Sequence, residues 1–456
     1  MAMGKRKAKQ QRLWVSTEEI PKAASHPFYV KVNEVLERHQ VDRRLEHLCR
    51  RFYRPVFGRP SVAPGVYFRM LLIGYFEGID SERGIAWRVA DSLSLREFLG
   101  FSVTERTPDH STVSRTRRLL PVETHKAVFR WFVRILGQEG LIDGQTIAVD
   151  ATTLEANAAM RSIRRRDDGR RYEEYLRDLA KAEGVENPTR EQMARMDRKR
   201  KKKASNREWV SRTDTDARIT KMKDGRTHLA HKAEHAVDLS SGAVVAVTLQ
   251  AADLGDTSSL GETLLQAQAN AALVNERGVE EVVADKGYHS NQVLVDLHAD
   301  SVRSYIPEPE RGPRKWDGKR TAQKQVYANR RRMGGRRGKD LQKLRSELTE
   351  RSFAHMYETG GMRRTHLRQH DNILKRLLFH AIGFNLALLL QRQYGIGKPR
   401  TLQGISGVIS LVRIAWASFY AAWMSLANSD GFGPGSCPIS AHSTTVRVFR
   451  TSTTGC

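Results

Sequence analysis

Cysteine is scarce in this 456-residue chain: Cys49, Cys437 and Cys456 lie far apart and lack ligand spacing. That argues against a disulfide framework and a zinc site, and suits a reducing cytosol. No G-x-x-x-x-G-K-[ST] phosphate loop is present, so no ATP engine is indicated, and Gly334-Gly335 and Gly360-Gly361 read as turns. Met1 to Arg12 is basic, but no apolar signal-peptide core follows it. Internal repeats are absent. Long hydrophobic runs are also rare. The stretch that needs a membrane check, Ile405 to Ala427, carries Arg413 and several serines and is expected to be a buried or interfacial helix. Acidic charge is outnumbered: 51 Asp and Glu face 77 Lys and Arg, a formal net charge of +26. Basic residues are spread along most of the chain, which points to a polyanionic partner, most commonly nucleic acid.

The length allows two or three domains. Residues 1–25 read as a basic flexible arm and 26–140 as helical. Arg69 to Gly78 and Ile85 to Leu99 carry apolar residues at helical spacing. Thr107 or Asp109 can cap a further helix that bears Arg115, Arg117 and Arg118. Two helices, a short polar break and this basic helix describe a helix-turn-helix-like unit whose arginines would meet DNA.

An α/β region is expected from 141 to 395. Gln145 to Ala151 reads as a strand, and His228 to Asp238 with Ala243 to Ala251 as a hairpin. Alternation puts His231 and His235 on one face of that hairpin and Lys232 and Glu234 on the other. Asp256-Thr257 reads as the cap of a helix from Ser258 to Asn275. Glu281 to Ala284 and Val302 to Ile306 are short strands separated by a helix at Asn291 to His298, and helical sequence fills about 341–395. The charged insertion at about 160–215, with its run Arg198 to Lys203, fits a solvated helix pair, a disordered loop or a DNA clamp. Residues 396–456 are expected to hold a helix followed by a poorly ordered Gly/Ser/Thr-rich tail.

Asp150 falls at the end of the first expected strand and Asp285 at the end of a later one, followed by Lys286-Gly287-Tyr288. Two carboxylates on neighbouring strand ends can share an oxygen-seeking divalent cation, and a third acid from a helix, Glu350, would complete the set.

At these residues the chain resembles the DDE transposases of bacterial insertion sequences. The matching segments are Ile147 to Thr153, Val283 to Tyr288, and Glu350 to His355 continuing into Gly360 to Arg368. The likeness covers about residues 25–400. It implies a ribonuclease-H-like catalytic domain, a mixed sheet flanked by helices, behind an all-α accessory domain. It also implies Asp150, Asp285 and Glu350 as catalytic metal ligands, and Mg²⁺ or Mn²⁺, two ions, as cofactor. Implied partners are terminal inverted repeats and target DNA in double-stranded form, bound by a homodimer or higher oligomer on the nucleoid in the cytoplasm, with no membrane. Lys232, Arg351, Arg363, Arg364 and Arg368 are the expected DNA contacts around the acids. The chain departs from the wider pattern, with Ser346 where an arginine is common, Tyr357 where a lysine is common, and Gln369 where the nearest relatives have glycine. A nuclease that cuts without joining, or an inactive DNA-binding relative acting as a repressor, are the rival readings.

Overall fold

The computed structural model describes residues 25–54, 61–200, 204–222, 224–310, 312 and 314–399, together with Val412, Ala415, Trp416 and Phe419. Seven helices come first: α1 (Pro27–Arg38), α2 (Val41–Cys49), α3 (Pro64–Glu77), α4 (Glu82–Asp91), α5 (Leu93–Phe98), α6 (His110–Leu119) and α7 (Val122–Gln138). A mixed α/β region follows: β1 (Thr146–Glu155), β2 (Ile163–Arg165), α8 (Tyr172–Ala182), α9 (Arg190–Lys199), β3 (Trp209–Ser211), β4 (Arg218–Lys221), β5 (Thr227–Asp238), β6 (Val244–Ala251), α10 (Asp256–Ala271), β7 (Glu281–Ala284), α11 (Asn291–Ala299), β8 (Arg303–Tyr305), α12 (Arg320–Gly334), α13 (Arg336–Phe353) and α14 (His370–Tyr394). The expected arm, most of Ile405 to Ala427, Lys201 to Lys203, and the tail lie outside the described residues.

The main sheet is mixed. Its path runs β4-β5-β1-β7-β8, with β6 also paired to β5. β5 is antiparallel to β1, β4 and β6, whereas β7 runs parallel to β1 and β8 parallel to β7. The parallel core strands are apolar without alternation, since Ile147, Ala148, Val149, Val282, Val283 and Ala284 are fully buried. That pattern belongs to strands covered on both faces.

α14 joins the two halves. It packs on α3 and α7 and also on β6. Phe379 stacks on Phe68 of α3 with ring centroids 4.8 Å apart. Buried Asn385 exchanges two 2.8 Å hydrogen bonds with the backbone of Val244 on β6. This is the described helix long and apolar enough to cross a membrane, yet 94% of its apolar window is buried inside the protein.

Several expectations need correcting. Ile85 to Leu99 is two helices, because the Ser92 hydroxyl takes the Leu95 amide and restarts the helix there. The chain then runs through residues 99–109 before α6, longer than the three- or four-residue turn of a helix-turn-helix. α6 starts where Asp109 accepts the Thr112 amide at 2.7 Å. α10 begins at Asp256 without a side-chain cap. The helix expected over 341–395 breaks at the turn and extended residues between Gly360 and Gln369. The described residues of the insertion form a helix pair, α8 and α9, with the short strands β2 and β3. Tyr172 and Tyr175 pack edge-on against Trp209 at 5.0 and 5.3 Å, closing a small apolar centre with Ile163 and Leu229.

Candidate active site

β1 and β7 lie side by side in register, Ile147 opposite Val282 and Val149 opposite Ala284. Asp150 and Asp285 each follow that last pair, and the charge of Asp285 reaches the Asp150 carboxyl. β7 stops at Ala284, and Asp285 turns the chain: its Oδ1 accepts the Gly287 amide at 2.7 Å and caps the short 3₁₀ turn Lys286–Tyr288. β1 does not stop there. It continues to Glu155 because β5 keeps pairing with it, Asp150 opposite His235 and Leu154 opposite His231. Asp150 is therefore a mid-strand residue. It stands beside Asp285 because the neighbouring strand ends, which no local pattern in Gln145 to Ala151 reveals.

α13 covers this face. Arg345 donates Nη1 to Asp150 Oδ2 at 2.9 Å, and Thr349, one turn on, donates Oγ1 to the same oxygen at 3.2 Å. Asp150 Oδ1 accepts the Ala151 amide at 2.9 Å. Burial pushes the Asp150 carboxyl above its ordinary pKa. Arg345, the Ala151 amide and Thr349 pull it back, while the charge of Asp285 adds to the rise. Cross-strand from Asp150, fully buried His235 places Nδ1 3.0 Å from Ser352 Oγ and bonds Tyr357 OH through Nε2. Tyr357 belongs to a π-helical turn, Ala354–Thr359, that continues α13. Extra-wide turns of this kind redirect side chains, and here one seats the tyrosine on the sheet. Arg345 and Thr349 share one stripe of α13, a signal available from their i, i+4 spacing; the roles of His235 and Tyr357 come from tertiary contact alone.

Glu350 and Glu347 are both exposed, and Glu350 Oε1 accepts the Ser346 hydroxyl at 3.2 Å. At about 100° per residue, Glu350 lies about 120° around α13 from the stripe of Arg345 and Thr349 that faces Asp150, and Glu347 about 180° from it. Asp150 and Asp285 offer hard oxygen donors that fit a divalent ion such as Mg²⁺. Among the described residues no group of three or more His, Cys, Asp or Glu is gathered closely enough to share one. The pair is brought together; the full set of three acids is not.

The basic residues separate into outward and inward groups. Gly360 to Arg368 runs along the far end of β1, where the Glu155 amide bonds Arg363 O at 3.0 Å and the Thr365 amide bonds Glu155 O at 2.8 Å. Arg364, 3.6 Å from a Glu155 carboxylate oxygen, and Arg368, which reaches Asn157 O at 3.3 Å, are exposed. Arg363 pairs with Glu358 and reaches Thr152 Oγ1 at 3.3 Å. Arg115 and Arg118 are exposed on α6. Three of the expected DNA contacts are turned elsewhere. Arg117 is drawn inward by Glu82 and Asn372, each at 2.8 Å. Lys232, 5% exposed, spends its ammonium on Asp256, Ser259 and Leu254 O at 2.6, 2.8 and 3.2 Å. Arg351, half-buried, lies over the β5–β6 turn at Gly242, whose φ of +80° and close guanidinium leave no room for a side chain.

No curated protein and no solved structure matches this chain. Residues 16–119, which include α1 to α6, match the family model described as Transposase domain (DUF772), and this match supports a transposase family for the chain.

Proposed function

We propose that this chain is a DNA transposase of the DDE type, with a ribonuclease-H-like core, that cuts the ends of its element and joins them to target DNA. Two aspartates side by side at the centre of a mixed sheet, Asp150 and Asp285, carry this reading, and the N-terminal transposase-domain match supports it. Asp150 and Asp285 would hold the divalent ion, Mg²⁺ or Mn²⁺, with Glu350 as the third ligand. When bound, such ions activate the attacking oxygen and stabilise the leaving one in phosphodiester transfer. Arg345 and Thr349 orient the Asp150 carboxylate from above. Arg364 and Arg368, on the segment beside the far end of the strand that carries Asp150, bind the phosphates that flank the reacting one, since guanidinium forks match phosphate oxygens. Exposed Arg115 and Arg118 grip DNA from the accessory helices. A dimer or higher oligomer would form on the paired ends.

Strand transfer with a pre-cleaved end separates joining from cutting alone. Wild-type protein with Mg²⁺ should insert a duplex carrying the sequence that flanks the gene into plasmid DNA, and Asp285→Ala should not. Cutting without joining would assign the chain to nucleases; neither reaction, with DNA binding intact, would assign it to inactive relatives.

A further inference from the structure

We propose that the cleft between the N-terminal helices and α14 is a binding site for a phosphate group. This cavity, of about 380 Å³, is lined by Asp80, Glu82, Arg83, Arg117, Lys375 and Arg376, among others, and does not include Asp150 or Asp285. It is bounded by α3, α4 and α6 on one side and by α14 on the other.

The cations deepest in the cleft are under-compensated. Arg376 is 4% exposed; its Nη2 donates to Ile79 O at 2.7 Å, and its Nε has no partner among the described residues. Burial pulls this guanidinium down to a pKa of about 10, with Glu82, Tyr67 and Asp80 acting to raise it from a distance. Lys375, 6% exposed, gives its Nζ to the carbonyl of Arg117 at 3.0 Å. The two carboxylates lining the cleft bond other residues of its wall and not Arg376 or Lys375: Glu82 takes Arg117 at 2.8 Å, and Asp80 takes His366 at 2.6 Å. Desolvating a cation without a bonded counter-ion is costly, so a buried pair of this kind signals an anion that arrives from outside. Gly74 makes room for the Arg376 guanidinium. A Cβ there would stand 2.2 Å from Arg376 Nη2, so the guanidinium lies on bare backbone.

Arginine forks and an ammonium group suit a tetrahedral oxyanion, and the volume admits a phosphate with an attached sugar. Two sources share that chemistry: a phosphate of the DNA backbone, and a free phosphate or nucleotide. Either one would clamp the accessory helices to α14. Binding here needs no divalent ion, so it stands or falls separately from the catalytic reading.

The test uses the full chain in metal-free chloride buffer. Inorganic phosphate should raise the melting temperature of wild type, and Arg376→Gln and Lys375→Gln should abolish the rise. If the source is DNA, the same variants should weaken a duplex oligonucleotide on the order of tenfold. They should also lower its log–log salt slope by about 1, and phosphate should compete with the duplex. If the source is a free phosphate, the variants should lose phosphate stabilisation yet bind duplex as wild type does. Arg83→Gln, at an exposed position, should weaken the same binding without lowering the unliganded melting temperature, and it carries the test if the buried variants fail to fold. Variants that respond to phosphate and to duplex as wild type does would overturn the proposal.

Discussion

Arg345 Nη1 lies 2.9 Å from Asp150 Oδ2, tying α13 to the middle strand of the sheet from 195 residues further along the chain. Both side chains are largely shielded, 14% and 22% exposed. Removing the arginine leaves a desolvated carboxylate short of its counter-charge. Arg345→Met should therefore lower stability in denaturant melts by about 1–3 kcal/mol. In the Asp150→Asn background the same change should cost less, giving a clear coupling energy. Additive effects would mean the contact is not formed in solution.

The two exposed glutamates of α13 should behave differently. Glu350→Gln removes the charge of the glutamate nearer, at about 120° around the helix, to the Asp150-facing stripe and should reduce Mg²⁺-dependent cleavage on the order of 10²-fold or more. Glu347→Gln alters a side chain on the far side and should keep most of the activity. The reverse ranking in a nicking assay would move the third ligand to Glu347.

Acid should destabilise the chain before its carboxylates titrate. Burial lowers His125, His235 and His380 to a pKa of about 3. An unfolded histidine titrates near 6.5, so between about pH 6.5 and 3 the unfolded state binds protons that the folded state refuses. Stability is then fully present above pH 6.5 and is lost as pH falls, by up to about 1.4 kcal/mol per pH unit for each histidine. Urea midpoints across pH 4.5–7 check this. A flat profile would place the three imidazoles in contact with water.

Gln369 has φ +70° and ψ 140°, a region where a side chain is strained. Gln369→Gly should relieve that strain and stabilise the chain by about 1 kcal/mol net of the extra freedom glycine gains when unfolded. A lower melting temperature in the variant would show that the contact from Asn372 to the Gln369 side chain, at 3.4 Å, matters more than the backbone.

The sequence made the two aspartates legible because each follows an apolar run, Ile147 to Val149 and Val282 to Ala284, of the kind that becomes a buried strand. Alternation assigned the faces of β5 correctly, with His231 and His235 together and Lys232 and Glu234 together, but it says nothing of what covers a face. α10 covers Lys232 and holds its ammonium on Asp256 and Ser259. Tertiary pairing also carried β1 past Asp150, and Arg117 was drawn inward by Asn372, 255 residues away. Composition marked the insertion as charged, while its order depends on Trp209 meeting two tyrosines of α8. The glycine that the family resemblance led one to expect at position 369 would suit a backbone with positive φ, and Gln369 adopts that φ.

Cleavage and binding measured together on Asp150→Ala and Asp285→Ala test the central claim most directly. End-bearing duplex, labelled on one strand, is titrated with each variant and then supplied with Mg²⁺. Affinity from Lys and Arg contacts to phosphate should stay close to wild type and fall steeply between 50 and 200 mM salt. Cleavage should vanish in both variants. Near-normal cleavage by either variant would remove that aspartate from the site and contradict the account.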